Sequence, residues 1–199
     1  MNSAAIILAA GFSSRMGSDK ALLELGGRTT LERIVNSHQE AGVDQIILVT
    51  GQNHAALARL SLKVKLVRNP APEQGMFSSI QAGVAALDPA VAAFFVHPVD
   101  TPLVSPATLT GLICALQQNL LADTVIPVFQ GRRGHPPLLS ERLSAAIDGY
   151  SGGSGLRGFL SNWRLLDVAC GDRGCILGMN TPEEYAALKA YAEGCNRTT

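Results

Sequence analysis

A loop of small and basic residues directly follows the first predicted strand of the chain. It covers residues 8–20 and reads LAAGFSSRMGSDK. The small side chains let the backbone approach a ligand closely, and consecutive amide N–H groups can surround a phosphate anion. Arg15 and Lys20 add the positive charges that a triphosphate requires. The loop therefore indicates a nucleotide-phosphate site; the simpler interpretation is a solvated Gly/Ser turn.

The same loop matches neither of the two usual nucleotide fingerprints. It lacks the GxxxxGK[ST] pattern of P-loop proteins and the GxGxxG pattern of dinucleotide-binding domains. A Rossmann redox domain would also need an acidic residue downstream of its glycines. A dinucleotide-dependent oxidoreductase is therefore poorly supported by this segment.

A carboxylate follows the predicted strand 92–97, in the segment HPVDTPLV. Asp100 lies just beyond the carboxyl end of this strand, on the side of a parallel sheet where ligands bind. Its hard oxygens suit Mg²⁺, which also keeps phosphate and water ligands. The alternative is that Asp100 only stabilises the turn before Thr101 and Pro102. The neighbouring His97 fits either a core position or a contact with an acceptor.

A second oxygen ligand can come from a corner near residue 180. Thr181 is followed by Pro182, Glu183 and Glu184, and the pairing of Thr181 with Glu184 as a capping box predicts the start of a helix. Asn180 is thereby placed at the corner before that helix. Its amide oxygen can coordinate Mg²⁺ with one negative charge fewer than Asp would bring, so we predict weaker metal affinity. The alternative is an ordinary turn residue.

These segments resemble the motifs of one enzyme family. LAAGFSSRMGSDK is similar to the LAAGxSxRMGxxK signature of the MobA-like nucleotidyltransferases, in particular of the branch that makes molybdenum cofactor cytosine dinucleotide. DTPLV resembles the DxPLV segment of the family, and GMNTPEE resembles its closing motif. The resemblance covers residues 6–185. It implies an α/β, three-layer, Rossmann-like nucleotidyltransferase fold with a mostly parallel central sheet and a smaller acceptor-side region.

The resemblance implies a role for each matching residue. Arg15 would hold the β- and γ-phosphates, and Lys20 would contact the α-phosphate, where charge develops during transfer. Asp100 would be a ligand of Mg²⁺, the implied cofactor, and Asn180 would complete the metal pair, as Asn does in related sugar-nucleotide enzymes. The guanylyl branch usually has Gly in place of Ala10, so the sequence favours CTP. The residues implied to line the base and phosphates are Leu8, Ala9, Ala10 and Gly11.

A further segment, NPAPEQGMFSSI, resembles the NPxxxxGMxxSI element of the family. The resemblance implies that the corner 75–79 recognises the nucleobase, and serine hydroxyls at a helix start can bond a base edge. Ordinary helix capping by serine is the alternative. The residues expected on the base side are Asn69, Gly75, Ser78 and Ser79.

Two segments in the second half of the chain resemble acceptor-side motifs. GHPPLL is similar to the GHPxLF segment of the cytidylyl branch and contains His135. GGSGLR is similar to GGDxGAR, a loop near the acceptor phosphate, although Ser154 replaces the Asp. We therefore expect His135 and Arg157 to contact the acceptor, whose identity the departures leave open. A solvated surface position is the alternative for Arg157.

The positioning elements follow from the alternation of apolar runs with amphipathic stretches, which predicts βαβ units with helices on both faces of a sheet. Predicted strands cover residues 4–9, 45–50, 64–68, 92–97 and 124–128. Predicted helices cover residues 30–41, 53–60, 76–87, 106–120 and 140–147, and one more begins after Thr181. A last pair of strands is expected around the turn 171–174. We expect one domain over residues 1–199, with a nucleotide half at about 1–104 and an acceptor half at about 105–193.

The composition excludes several other classes of function. The formal net charge is zero and Lys and Arg do not cluster, so we expect no nucleic-acid or anionic-membrane partner. Apolar runs fall short of the roughly 20 residues of a membrane span, and the start of the chain has no signal-peptide pattern, so we expect a cytoplasmic protein. The four cysteines lack CxxC spacing, which argues against a disulfide framework or a zinc site.

Together these features predict a Mg²⁺-dependent enzyme that transfers CMP from CTP to a phosphorylated acceptor and releases pyrophosphate. Molybdopterin carrying molybdenum is the expected acceptor, with transient contact to a molybdoenzyme or its maturation chaperone. One alternative is a cytidylyl- or uridylyltransferase acting on a sugar or polyol phosphate. Another is a non-catalytic subunit that binds a nucleotide or cofactor and hands it to a partner.

Overall fold

The computed structural model describes residues 1–11 and 18–195. The strands are β1 (Ser3–Ala9), β2 (Glu24–Leu25), β3 (Arg28–Thr29), β4 (Gln45–Thr50), β5 (Lys65–Arg68), β6 (Ala93–Pro98), β7 (Thr124–Phe129), β8 (Arg132–Arg133), β9 (Leu138–Ser140) and β10 (Leu165–Ala169). The α-helices are α1 (Thr30–Glu40), α2 (His54–Leu57), α3 (Met76–Val84), α4 (Pro106–Gln118), α5 (Ser144–Asp148), α6 (Gly155–Leu160) and α7 (Pro182–Cys195). Short 3₁₀ turns cover Lys20–Leu22, Pro72–Gln74, Glu141–Leu143 and Arg173–Ile176.

The central sheet has the strand order β10-β7-β9-β6-β1-β4-β5, and β8 pairs with β7. Neighbours β1, β4, β5 and β6 run parallel, as do β7 and β10, whereas β9 is antiparallel to both β6 and β7. The carboxyl ends of β1 and β6 therefore meet at one edge of the sheet. The predicted α/β fold with a mostly parallel central sheet is confirmed.

Every residue of β1 is buried because helices cover both faces of this sheet. Alternate side chains of a strand point to opposite faces, so Ala5 and Ile7 pack on one side and Ile6 and Leu8 on the other. The first side is covered by α1 and α4, and the second by α3, α5 and α6. Burying each such Ile or Leu stabilises the fold by about 1.5–3 kcal/mol. The apolar runs in the sequence thus produce three layers.

A smaller apolar cluster attaches α7 to the short hairpin formed by β2 and β3. Leu25, Met179 and Leu188 form its buried centre, and the Tyr185 hydroxyl donates to the Glu24 carbonyl at 2.6 Å. Within residues 1–11 and 18–195, every helix is too short or too polar to span a lipid bilayer.

Two predicted elements differ from the structure. The helix predicted at 53–60 is a single turn, α2, because the Arg59 and Leu60 amides bond carbonyls three residues back instead of continuing the α-helix. Only the first strand of the pair predicted around 171–174 forms, as β10. The second is replaced by a 3₁₀ turn, because the Asp172 carboxylate bonds the Gly174 and Ser105 amides at 2.8 Å and folds the chain back. Strand β9 and helix α6 were not predicted.

The capping box predicted for α7 forms only in part. The Glu184 amide donates to the Thr181 hydroxyl at 3.2 Å, as predicted. The Glu184 carboxylate instead accepts from the amide of Asn180 at 2.5 Å, one residue earlier than the motif requires. The helix start therefore holds the backbone of Asn180 directly.

Candidate active site

A cavity of about 340 Å³ opens at the carboxyl ends of β1 and β6. Its position is the one at which parallel α/β sheets bind ligands. The residues that line it are Leu8, Ala9, Ala10, Gly11, Asp19, Lys20, Pro72, Gly75, Met76, Ser79, Pro98, Val99 and Asp100. Most of the expected nucleotide-site residues are therefore brought together here.

The floor of the cavity is backbone from the end of β1. The Val99 amide donates to the Leu8 carbonyl at 3.2 Å, which ties the exit of β6 to that of β1. A Cβ atom on Gly51 would lie 2.7 Å from the Ala10 carbonyl oxygen, so this contact requires glycine. Small residues at 9–11 leave room for a ligand against the main chain.

Asp19 and Asn53 brace the far end of the phosphate loop. Asp19 accepts from the Ala21 amide at 3.0 Å and from the Asn53 side chain at 2.8 Å. Asn53 also donates to the Ala9 carbonyl at 2.9 Å and accepts from the Gly51 amide at 3.1 Å. Neither residue was predicted to have a role in the site. The sequence has an acidic residue before the 3₁₀ turn and an Asn in the turn after β4. Each pattern predicts a local cap, but neither predicts the contact between the two side chains.

Lys20 brings the two proposed metal ligands together. Its ammonium donates to the Asn180 amide oxygen at 3.0 Å and lies 3.8 Å from the Asp100 carboxylate. The Lys20 side chain is 15% exposed and that of Asp100 28%, so the pair is accessible from the cavity but partly screened from water. A hydrogen bond of the Thr30 hydroxyl to the Lys20 carbonyl fixes the backbone below.

The loops that carry the two oxygen ligands are joined directly. The Met179 amide donates to the Asp100 carbonyl at 3.0 Å, and the buried Met179 side chain anchors this loop in the α7 cluster. In the described part of the chain, no group of three or more His, Cys, Asp and Glu side chains could hold a metal ion. One carboxylate and one amide oxygen nevertheless fit Mg²⁺, which commonly takes one or two protein oxygens and completes its shell with phosphates and water.

The base-side corner is supported from behind by Asn69. This buried residue donates from its amide nitrogen to the Ser78 and Ser79 hydroxyls at 2.8 and 2.9 Å. The Ser78 hydroxyl in turn donates to the Gly75 carbonyl at 2.8 Å. Ser79 and Gly75 line the cavity, whereas Asn69 and Ser78 form the framework beneath it. Asn69 and Ser78 thus make internal hydrogen bonds that support this corner, and their contact with a base stays a prediction.

The expected acceptor-side residues are less tightly placed. His135 is exposed, and its amide donates to the Cys175 carbonyl at 2.8 Å. Burial lowers the pKa of His135, and the negative charge of Asp100 opposes this shift. Arg157 lies exposed on α6 and away from the cavity lining. Arg15 lies outside the described residues.

His97 lies in the core and is fully buried. Its Nδ1 is 2.9 Å from Nε2 of the equally buried His38, and its Nε2 is 2.9 Å from the Thr101 carbonyl. Burial lowers the pKa of His97 to about 4, although the bond to Thr101 opposes this shift. Burial also lowers the pKa of His38 well below its ordinary value. Of the two positions that the sequence left open, the structure shows the core one.

Curated relatives of this chain include proteins named as nucleotidyltransferases and one named as an oxidoreductase. The chain is 30% identical over 189 residues to the molybdenum cofactor cytidylyltransferase of Escherichia coli K12, covering 92% of this chain and 94% of the relative. It is 28% identical over 189 residues to the molybdenum cofactor guanylyltransferase of Xanthomonas euvesicatoria, covering 92% of each. It is also 30% identical over 193 residues to the nicotine blue oxidoreductase of Paenarthrobacter nicotinovorans, covering 92% and 94%.

A solved structure shares the fold. The structure of Rv0371c from Mycobacterium tuberculosis in complex with manganese superimposes with a TM-score of 0.74 at 24% identity, covering 96% of this chain and 99% of that one. The sequence profile of the MobA-like NTP transferase domain matches residues 5–168. With the cavity at the sheet edge and Lys20, Asp100 and Asn180 gathered beside it, the chain belongs to the MobA-like nucleotidyltransferase family.

Proposed function

We propose that this nucleotidyltransferase transfers CMP from CTP to the terminal phosphate of molybdopterin carrying molybdenum, with release of pyrophosphate. The observation that carries the proposal is the convergence of Lys20, Asp100 and Asn180 beside a cavity floored by backbone. An acceptor phosphate oxygen attacks the α-phosphorus of CTP in line with the departing pyrophosphate. Because both reactants are phosphates, the reaction needs charge neutralisation and alignment rather than a protein nucleophile.

Lys20 is the residue that we assign to the reacting phosphate. Its ammonium is held between two oxygens and faces the cavity, so it can donate to a non-bridging α-phosphate oxygen as negative charge accumulates there. Asp100 and Asn180 are the residues that would hold Mg²⁺. The bound ion supplies additional positive charge to the phosphates. The manganese complex of a protein with the same fold is in keeping with a divalent-cation site in this architecture.

The preference for CTP depends on Ala10 and on the corner that begins α3. Ala10 is 5% exposed and lines the cavity, and its methyl group takes up space that a glycine would leave empty. The base-side framework of Asn69 beneath Ser79 offers a hydroxyl and backbone groups to the edge of a small base. One relative is named a cytidylyltransferase and another a guanylyltransferase, so the two bases must be compared directly.

The first experiment measures pyrophosphate release by the purified protein with Mg²⁺. CTP, GTP, UTP and ATP are compared, each with and without molybdenum-loaded molybdopterin. We expect release only with CTP and pterin together. Release with GTP and pterin would move the base assignment to guanine, and release only with a sugar or polyol phosphate would establish the alternative acceptor class. Binding of CTP without turnover on any acceptor would favour the non-catalytic subunit.

A second candidate function comes from the relative named an oxidoreductase. It predicts that the chain oxidises or reduces nicotine blue, the compound in the name of that relative. The assay is the change in absorbance of nicotine blue, followed with an added reductant and with an added oxidant. Turnover of nicotine blue that survives both Asp100→Asn and Lys20→Gln would favour this function over nucleotidyl transfer, because a redox reaction of this compound does not need a lysine that aligns phosphates.

A further inference from the structure

A chain of buried polar groups runs from helix α1 to the turn that carries Asp100. His38 on α1 bonds His97 on β6, and His97 bonds the carbonyl of Thr101, each over 2.9 Å. Both imidazoles are fully buried, and the His38 ring packs against Phe95 with centroids 5.1 Å apart. Two buried imidazoles in a layer of aliphatic side chains are costly to desolvate, so their presence needs an explanation other than packing.

The hydrogen bonds fix both tautomers. A carbonyl oxygen can only accept, so His97 must donate from Nε2 to Thr101, and in its neutral form Nδ1 is then an acceptor. His38 must therefore donate from Nε2 to His97. This leaves Nδ1 of His38 as an acceptor, and that buried atom has no hydrogen-bond partner among residues 1–11 and 18–195. Each donor points in the same direction, towards the Asp100 turn.

The turn at the end of this chain carries the proposed metal ligand. The amide of Thr101 donates to the Pro98 carbonyl at 3.3 Å and its hydroxyl to the same oxygen at 3.2 Å, which closes a turn around Asp100. The Asp100 carbonyl accepts from Met179 on the other side. His97 thus holds the Thr101 end of the turn from inside the core, while Met179 holds Asp100 itself from the loop that carries Asn180.

We propose that His97, with His38 behind it, is a positioning residue that orients the Asp100 carboxylate towards the metal–nucleotide complex. The proposal rests on the proposed nucleotidyl transfer for its catalytic consequence. His97 does not belong to the residues that line the cavity, and it acts through the Thr101 carbonyl. His38 can donate from Nε2 to His97 only in the tautomer whose Nδ1 carries no proton. The cost of burying that Nδ1 is therefore linked to the hydrogen bond that His97 receives.

The test compares variants that keep or remove the donor to Thr101. His97→Leu removes it at similar side-chain size, whereas His97→Gln keeps an N–H group within reach of the same carbonyl. We expect the leucine variant to bind Mn²⁺ with CTP about tenfold more weakly by electron paramagnetic resonance, and to lower kcat more than it raises the KM for CTP. The glutamine variant should restore both to within about threefold. His54→Gln, at a histidine on α2, is the matched control.

Hydrogen exchange of residues 98–104 supplies a readout independent of turnover. Faster exchange of this segment in folded His97→Leu, but not in His97→Gln, is expected. Wild-type Mn²⁺ binding and exchange in a folded His97→Leu protein would overturn the proposal. If His97→Leu does not fold, the same comparison is made with His38→Leu and His38→Gln, which change the residue behind His97. Equal Mn²⁺ binding by these two variants would overturn the proposal. A wild-type protein that binds Mn²⁺ with CTP but releases no pyrophosphate would refute the proposed reaction and leave the positioning comparison intact.

Discussion

The residues proposed to act on the nucleotide and those proposed to contact the acceptor are held in different ways. Lys20 and Asp100 lie beside the ends of buried parallel strands, in a framework braced by Asp19, Asn53 and Met179. His135 and Arg157 are exposed, and Arg157 stands on a helix of six residues. The residues proposed for the triphosphate therefore have fixed backbone support, whereas those proposed for the acceptor lie at the surface.

This difference follows from the chemical roles proposed for the two groups of residues. Alignment of an α-phosphate with its attacking oxygen tolerates little displacement, so the groups around it need fixed backbone support. Recognition of an acceptor can change by exchanging exposed side chains without disturbing the sheet. We therefore expect substitutions of the residues proposed for the nucleotide and metal to affect turnover, and those of the residues proposed for the acceptor to affect substrate choice.

The largest effect is expected from Lys20→Gln and Asp100→Asn. Each should lower kcat by about 10²–10³-fold, because each removes a charge that acts on the reacting phosphates. Steady-state pyrophosphate release measures the loss. Lys63→Gln and Asp148→Asn change exposed side chains outside the cavity and serve as controls. Normal turnover by a folded Asp100→Asn protein would remove Asp100 from the metal site.

An intermediate effect is expected from Arg157→Ala in the acceptor half. Loss of a guanidinium from the acceptor phosphate should raise the KM for the acceptor by about tenfold, which corresponds to one charge-assisted hydrogen bond. The KM for CTP should stay unchanged. Initial rates with each substrate varied in turn separate the two constants. An unchanged KM for the acceptor would show that Arg157 is a solvated surface residue that does not contact the acceptor.

A smaller effect is expected from Asn180→Asp. The added negative charge should lower the Mg²⁺ concentration required for half-maximal activity by a few-fold, because a carboxylate binds Mg²⁺ more strongly than an amide. Titration of pyrophosphate release with Mg²⁺ measures this shift. Asn162→Asp adds the same charge at an exposed site and is the control. A higher Mg²⁺ requirement in Asn180→Asp would argue that Asn180 serves Lys20 rather than the metal.

The smallest effect concerns stability in acid and distinguishes β6 from β7 without any substrate. Burial lowers the pKa of His97 to about 4, so the contribution of its neutral form is complete above about pH 6.5 and is lost as pH falls towards 4. The lowered pKa of His38 acts in the same direction. Asp123, at the start of β7, also has a lowered pKa, because Arg164 bonds its carboxylate at 3.0 Å. Its contribution is complete above about pH 3.9 and is lost only below that value.

Acidification from pH 7 to 5 should therefore weaken the structure around β6 before that around β7. Hydrogen exchange at each pH measures this order, with His97→Gln expected to flatten the dependence around β6. Earlier loss of protection around β7 than around β6 would contradict it. The neighbouring histidines His38 and His135 are the titratable groups whose charge reaches His97, so their protonation adds to the same transition.

Local sequence patterns predicted the fold well where a signal is contained in one segment. The continuous apolar run of β1 predicted a strand buried on both faces, and the loop after it predicted the cavity floor. The contact between Asp19 and Asn53 was not predictable, because the two side chains are 34 positions apart and each has an ordinary local role as a cap. Strand β9 was missed because its three residues join the sheet only through distant neighbours, β6 and β7.

The His97 position illustrates the same limit within the site. Its place after four buried strand residues was compatible with the core and with a ligand contact. The decision depended on His38, which lies 59 positions away on α1 and reaches His97 only because α1 packs on that face of the sheet. Packing between layers therefore supplied the part of the site that sequence patterns could not.

The most direct test of the central claim follows the α-phosphorus itself. CTP labelled at the α-phosphate is incubated with Mg²⁺, molybdenum-loaded molybdopterin and either the wild-type protein or Asp100→Asn, and the labelled products are separated and weighed by mass spectrometry. The proposed reaction predicts that the wild type moves the label into molybdopterin cytosine dinucleotide with one pyrophosphate released per product, and that the variant does not. Label that remains in CTP, or moves equally well with the variant, would contradict cytidylyl transfer at this site.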